Sequence, residues 1–299
     1  MMKKILFAML AAFVMAIGFQ NINVARADTS AGDVIVTLGA DLTQQQKDAI
    51  LKEMQVDPNQ VQVIEVTNAE EHKYLDNYLP KAQIGTRAIS SSKITIGEKG
   101  SGLSVSTNHI TYVSNEMYMN ALATAGVKDA QIYVTAPFDV SGTAALTGLI
   151  KAYEIKTGDV IPEEQKQVAN EEMVTTAKLA DEKGIGKDKA AALMTAIKDK
   201  IAEAHPKTDE DMKNIIQDAA KQTGVQLNDQ DIQKLVDLFN KMKDLNINWN
   251  QVGDQLQKAK DSLKQFLNSD EAKGFFAKLG EFLRSLFQTI SDFISSLFH

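Results

Sequence analysis

The sequence contains no cysteine, and its 299 residues include only five prolines, four histidines and one tryptophan. Without cysteine it has no disulfide framework, no thiol chemistry and no cysteine-ligated metal site. No two histidines have the spacing of a zinc motif, and no acidic loop has the pattern of an EF-hand. A glycine-rich dinucleotide fingerprint is also missing. We therefore predict neither a metal nor a cofactor.

The first 27 residues have the layout of a secretory signal peptide. Lys3 and Lys4 give a basic start, an apolar run follows over residues 5–19, and Ala25-Arg26-Ala27 provides a cleavage site. The alternative is an uncleaved anchor, but a membrane-spanning helix needs about twenty apolar residues. We therefore expect an exported, extracytoplasmic protein that is either secreted or associated with the cell envelope.

After cleavage of the signal peptide, acidic residues would outnumber basic residues in the remaining chain. Residues 28–299 hold 29 lysines and arginines against 39 aspartates and glutamates, which gives a net charge of −10. This balance excludes a nucleic-acid binder that works by bulk electrostatics, because such a protein needs a basic face. The same balance predicts poor binding to anionic wall polymers, unless a cation bridges the two or a local basic patch overrides the net charge.

The hydrophobic pattern of residues 28–160 alternates between the strand period and the helix period. Strands are predicted at residues 34–38, 61–66, 93–96, 105–113 and 130–135. Helices are predicted after Thr43, Thr67 and Ser114 and over residues 143–153, and Thr43 with Gln46 fits a capping box. This order predicts an N-terminal α/β domain in which helices pack on a mixed sheet.

Residues 161–269 show the helix period alone and predict an all-α helical domain, with Thr208 and Asn228 as helix caps. Residues 270–299 predict a phenylalanine-rich amphipathic C-terminal helix. Its apolar positions are Phe275, Phe276, Leu279, Phe282, Leu283, Leu286, Phe287, Ile290, Phe293, Ile294, Leu297 and Phe298. Such a face is not left in water, so we expect it to meet the protein's own bundle, another copy or partner protein, or a membrane surface.

Two short motifs are those of penicillin-recognising enzymes, but their setting is wrong. Residues 90–93 read S-x-x-K and residues 156–158 read K-T-G. In those enzymes S-x-x-K opens a helix, whereas here Lys93 enters a predicted strand, where it and Ser90 point to opposite faces. The adjacent carboxylates Glu70 and Glu71 are expected to be solvated rather than paired for acid–base chemistry.

Two strand-to-helix loops are the better candidates for a ligand site. Each places small and hydroxyl residues at a helix N-terminus, where free N–H groups and the helix dipole can hold an anion. In open α/β sheets, ligands bind at this end of the strands. The candidate anion- or ligand-binding residues are Gly39, Asp41, Thr43, Arg87, Ser141, Gly142 and Thr143. The alternative is ordinary helix capping, with Arg87 in an intramolecular salt bridge.

Several stretches resemble a known family. They are residues 39–42 (GADL), 70–75 (EEHKYL), 84–91 (IGTRAISS), 120–126 (NALATAG) and most of 136–148. Together they resemble the YpuA-like exported proteins of Gram-positive bacteria, a family of unknown function. The resemblance implies export and a place at the cell envelope. It implies no reaction, so it supplies no catalytic residues.

The sequence favours a non-enzymatic envelope protein that binds a wall component, a membrane surface or a partner protein. The alternative is an enzyme that acts on an anionic envelope metabolite through the strand-to-helix loops. That alternative requires Thr43, Arg87, Ser141 and Thr143 to converge around one pocket.

Overall fold

A computed structural model of the chain describes residues 29–245 and 247–269. The predicted signal peptide at residues 1–27 and the predicted amphipathic helix at residues 270–299 lie outside the described residues. The described residues form five strands and eleven helices, and the predicted order of an α/β region followed by a helical region is confirmed.

The strands form one mixed sheet, as the alternating pattern predicts. They are β1 (Val34–Gly39), β2 (Gln62–Val66), β3 (Ser91–Ile96), β4 (Leu103–Thr107) and β5 (Ala130–Thr135), in the spatial order β2-β1-β3-β5-β4. The pairs β1–β2 and β4–β5 are parallel, and β3 is antiparallel to both of its neighbours. The carboxyl ends of β1, β2, β4 and β5 therefore meet at one edge of the sheet.

Three of the five helices described in the α/β region begin directly after the predicted capping residues Thr43, Thr67 and Ser114. The five helices are α1 (Gln44–Glu53), α2 (Asn68–Leu75), α3 (Lys81–Ile84), α4 (Asn115–Ala125) and α5 (Thr143–Thr157). Thr43 and Thr67 both form complete capping boxes, and the Ser114 hydroxyl accepts from the N–H of Met117. These side chains satisfy N–H groups that a helix start leaves without partners.

The predicted strand at residues 105–113 is too long, because β4 ends at Thr107. His109 adopts a left-handed backbone conformation with φ of +57°, which no strand residue has. Beyond it, only an isolated parallel bridge joins Ile110 to Val140. The chain thus turns away from the sheet two residues after β4.

The helical region comprises α6 (Glu163–Glu182), α7 (Lys187–Ala204), α8 (Asp209–Thr223), α9 (Asp229–Asp244), α10 (Trp249–Gln255) and α11 (Gln257–Asn268). The predicted caps Thr208 and Asn228 open α8 and α9 with capping boxes. One buried apolar cluster runs from the sheet residues Ile94 and Ile132 through α4 and α5 into α7. The two regions therefore share a continuous core.

The two faces of the sheet are covered unequally. Helices α4 and α5 pack on one face, where Ile35, Ile94 and Ile132 are buried. On the other face, α1 covers Val36 and Leu38 of β1 in a smaller cluster. The part of this second face that belongs to β4 and β5 carries polar side chains.

Candidate functional site

The two loops predicted as ligand sites both follow strands that end at the same edge of the sheet. The first leads from β1 into α1, and the second leads from β5 into α5. The parallel arrangement of β1 and β5 puts both helix starts on one side of the molecule. Their polar groups, however, form two separate groups of contacts.

The first loop is held against the segment that precedes β3. A side chain at Gly39 would come within 2.4 Å of the carbonyl oxygen of Ala88, so only glycine fits there. The Asp41 carboxylate accepts the Ala88 N–H at 2.7 Å. The exposed Arg87 donates to the carbonyl oxygen of Asp41 at 3.4 Å and forms no ion pair within the described residues. Thr43 is engaged in its capping box.

The second loop closes over a buried carboxyl group. Thr143 Oγ1 donates to Glu71 Oε1 at 2.8 Å and lies 3.2 Å from Ser141 Oγ. Gly142 has φ of +91°, and a side chain there would come within 2.6 Å of the Tyr118 hydroxyl. That hydroxyl donates to the Gly142 carbonyl oxygen. The loop is therefore fixed by contacts within the chain.

The expectation that both adjacent carboxylates are solvated is wrong for Glu71, which is only 2% exposed. Sequence neighbours on a helix face different directions, and here Glu71 faces the start of α5. Burial raises the pKa of Glu71 to about 7, although hydrogen bonds from Thr143 and Asn68 act in the opposite direction. The carboxyl group therefore titrates near neutral pH.

A different surface offers an open, polar recess on the sheet. We call it the polar groove, and it lies on the face of β3, β4 and β5 that α1 leaves uncovered, with a volume of about 450 Å³. Its polar side chains come from these strands and the end of α1: Glu53, Gln55, Lys93, Thr95, Ser104, Ser106, Gln131 and Tyr133. The apolar residues that alternate with them in β4 and β5 point into the core.

Glu53 is held in a fixed position beside the groove. Its Oε1 atom accepts three hydrogen bonds, from Tyr133 at 2.6 Å, Thr135 at 2.8 Å and Asn108 at 3.0 Å. Burial raises the pKa of this carboxyl, but these bonds and the nearby His109 outweigh it and lower the pKa. Glu53 is thus an ionised acceptor that needs no rearrangement to receive a donor from a ligand.

Lys93 and Tyr133 line the same groove from neighbouring strands. The Lys93 ammonium donates to the Met54 carbonyl oxygen at 2.7 Å, where it also complements the negative end of α1. Tyr133 keeps its ring partly exposed while its hydroxyl is engaged with Glu53. The groove therefore combines neutral hydrogen-bonding groups, an aromatic ring and one charge of each sign.

Sequence reasoning missed this groove, although a signal for it is present. Residues 103–107 (LSVST) and 130–135 (AQIYVT) alternate between apolar and polar side chains. Such alternation predicts one solvated face. It does not tell which strands are neighbours, and the polar residues of β4 and β5 become one surface only because these strands pair.

Within residues 29–245 and 247–269, no group of three or more histidine, aspartate or glutamate side chains is arranged to hold a metal ion. None of the helices described there is long and apolar enough to cross a membrane.

The chain is similar to known sequences over most of its length. A family model described as "Protein of unknown function (DUF1002)" matches residues 38–259, from the end of β1 into α11. The "Uncharacterized protein YpuA" of Bacillus subtilis (strain 168) is 52% identical over 290 residues, which cover 97% of this chain and 98% of that protein. No solved structure matches.

Proposed function

We propose that this chain, which belongs to the DUF1002 family of proteins of unknown function, is an exported, non-enzymatic binding protein of the cell envelope. Its ligand lies in the polar groove and is uncharged and rich in hydroxyl groups, as a glycan is. Export rests on the signal layout of residues 1–27, and binding rests on the geometry of the groove.

The observation that carries this proposal is the fixed carboxylate of Glu53 beside a row of neutral polar side chains. A glycan presents many hydroxyl groups, each of which can donate and accept a hydrogen bond. Glu53 can accept hydrogen bonds from such groups. The Ser, Thr and Gln side chains of the groove can both donate hydrogen bonds to them and accept hydrogen bonds from them. The exposed part of the Tyr133 ring offers an apolar surface for the face of a sugar.

The charge of the protein argues for an uncharged ligand. A net charge of −10 repels polyanions at a distance, and the groove itself offers one lysine and one glutamate among its polar side chains. We therefore expect an uncharged oligosaccharide to bind better than poly(glycerol phosphate).

The alternative of an enzyme that uses the strand-to-helix loops receives less support. Asp41 and Thr43 bond to groups of their own loop and its neighbour, while Ser141 and Thr143 are engaged around Glu71. A ligand at either loop would have to displace these hydrogen bonds. In the polar groove Glu53, Tyr133 and Lys93 are also engaged, but the side chains of Ser104, Ser106 and Gln131 form no hydrogen bond within the described residues.

The test is a titration of purified residues 28–299 with a β-1,4-linked tetramer of N-acetylglucosamine, followed by nuclear magnetic resonance. We expect saturable chemical-shift changes in β3, β4 and β5. Gln131→Arg places a long charged side chain in the groove and should weaken binding about tenfold or more, equivalent to 1.4 kcal/mol. Binding of poly(glycerol phosphate) should be weaker than that of the tetramer.

Gln257→Arg is the matched control, since it makes the same chemical change at an exposed position at the start of α11. It should bind the tetramer as the unsubstituted protein does. The proposal fails if the tetramer gives no saturable change, or if both arginine variants bind it equally well.

A further inference from the structure

A second cavity lies away from the polar groove, between helices α2, α5 and α6. We call it the interhelix pocket, and its volume is about 190 Å³. Thr147 and Ile150 of α5 and Asn170 of α6 form buried parts of its wall. The pocket belongs to neither of the strand-to-helix loops and shares no residue with the polar groove.

Charged side chains of both signs surround this pocket in close pairs. The Lys166 ammonium lies 2.7 Å from the Glu154 carboxylate, and the Lys151 ammonium lies 2.6 Å from Glu70. Lys73 pairs with Glu163 at the outer side. The Lys166 side chain is only 13% exposed, so its charge is screened little by solvent. A ligand in the pocket meets ammonium and carboxylate groups together.

Two buried polar atoms of the pocket wall have no hydrogen-bond partner within the described residues. They are Thr147 Oγ1 and Asn170 Oδ1, on residues that are 5% and 0% exposed. The other polar atom of the Asn170 amide, Nδ2, donates to the Lys166 carbonyl oxygen at 2.9 Å, which fixes the orientation of the amide. Buried polar atoms are nearly always paired in native proteins, so each of these two atoms needs a hydrogen-bond partner, which a ligand or a water molecule in the pocket would supply.

We propose that the interhelix pocket binds a compact zwitterion, such as a free amino acid. Asn170 Oδ1 only accepts hydrogen bonds and needs a donor, which an ammonium group supplies and an inorganic anion without protons does not. Thr147 Oγ1 can donate to a carboxylate, which the Lys166 ammonium also attracts. The volume of about 190 Å³ leaves room for a ligand of a few heavy atoms, such as glycine or alanine.

The test uses purified residues 28–299 and isothermal titration calorimetry with glycine, L-alanine and D-alanine. Propionate and ethylamine, which each carry only one of the two charges, serve as comparison ligands. We expect at least one amino acid to bind, and both comparison ligands to bind about tenfold more weakly or worse, since each loses 1.4 kcal/mol or more.

Two substitutions locate the ligand. Thr147→Val keeps the shape of the side chain and removes the hydroxyl, and Asn170→Leu removes the free acceptor. Both should abolish amino-acid binding, while the melting temperature of unliganded Thr147→Val stays the same or rises. Asn250→Leu, at an exposed position of α10, is the control and should bind normally.

The proposal is overturned if none of the three amino acids binds up to tens of millimolar, which would mean that the pocket holds water only. It is also overturned if Thr147→Val and Asn170→Leu both bind as the unsubstituted protein does. Because this pocket and the polar groove share no residue, either result leaves the glycan titration to be judged on its own.

Discussion

Glu70 and Glu71 are neighbours in α2, yet their surroundings move their pKa values in opposite directions. For Glu71, burial is the largest cause and raises the pKa to about 7. For Glu70, burial also acts upward, but the Lys151 ammonium and the capping residue Thr67 outweigh it and lower the pKa. One helix position therefore separates a protonatable carboxyl from an ionised one.

Glu71 should make the folded state less stable as the pH rises. Its pKa is 4.5 when the chain is unfolded and about 7 when it is folded. Between these values the folded state binds more protons, so the free energy of unfolding falls from pH 4.5 to about pH 7. Glu71→Gln removes this loss and should stabilise the protein by up to roughly 3 kcal/mol at pH 8. Urea unfolding at pH 5 and pH 8 measures the difference.

The neighbouring substitution Glu70→Gln is the control for this experiment. It removes a partly exposed ion pair with Lys151 at 2.6 Å, so it should destabilise the protein at pH 8 by at most about 1 kcal/mol. If Glu71→Gln showed the same pH dependence as the unsubstituted protein, the assignment of a raised pKa to Glu71 would be wrong.

At the scale of elements, a buried ion pair within the helical region is hydrogen-bonded to α4 of the α/β region. Lys198 of α7 lies 2.6 Å from Glu172 of α6, and both side chains are at most 1% exposed. Lys198 also donates to the Asn120 carbonyl oxygen and the Thr124 hydroxyl of α4, each at 2.7 Å. Burial lowers the pKa of Lys198, and the Glu172 carboxylate acts in the opposite direction. The pair thus ties three helices together.

Removing one partner of this pair should be costly, and removing both should be much less so. Lys198→Met alone leaves the Glu172 carboxylate buried without a counter-charge, so we expect a loss of about 3–5 kcal/mol. The double variant Lys198→Met, Glu172→Met replaces two charges by apolar side chains and should regain most of that stability. Urea unfolding of the three proteins at pH 7 gives the comparison.

Lys221→Met is the matched control for this pair, because Lys221 pairs with Asp218 at 3.6 Å on an exposed surface. It should change the free energy of unfolding by less than about 1 kcal/mol. A double variant that is less stable than Lys198→Met would contradict the argument and show that the charges themselves hold α4, α6 and α7 together.

At the scale of the whole molecule, the predicted apolar face of residues 270–299 lies outside the described residues. Burying a large apolar side chain contributes roughly 1.5–3 kcal/mol, so a helix with twelve of them binds strongly to whatever covers it. We propose that a membrane surface covers it. That would hold the α/β region and its polar groove close to the envelope.

Flotation with vesicles of phosphatidylethanolamine and phosphatidylglycerol tests this placement. Residues 28–299 should float with the vesicles, and residues 28–269 should stay at the bottom of the gradient. The full chain with Leu283→Glu and Phe287→Glu, which keeps its length but interrupts the apolar face, should also stay at the bottom. If none of the three proteins floats, the face belongs to the core or to a subunit contact.

Local features of the sequence determined the elements and the fold class. The capping boxes at Thr43, Thr208 and Asn228 act over four residues, and the strand and helix periods act over about ten, so both can be read without knowing the fold. The predicted strand at residues 105–113 is too long because the sequence pattern does not reveal that His109 has a positive φ.

Only the tertiary structure decided which polar groups meet. Tyr133 and Thr135 reach Glu53 across 80 and 82 positions of sequence, and Asn108 reaches it across 55. Glu71 is buried because α5 begins beside it, 72 positions further along the chain. Periodicity shows that a side chain lies on a face, but strand pairing and helix packing determine what lies opposite that face. For this reason the sequence predicted the strands of the polar groove but not the groove.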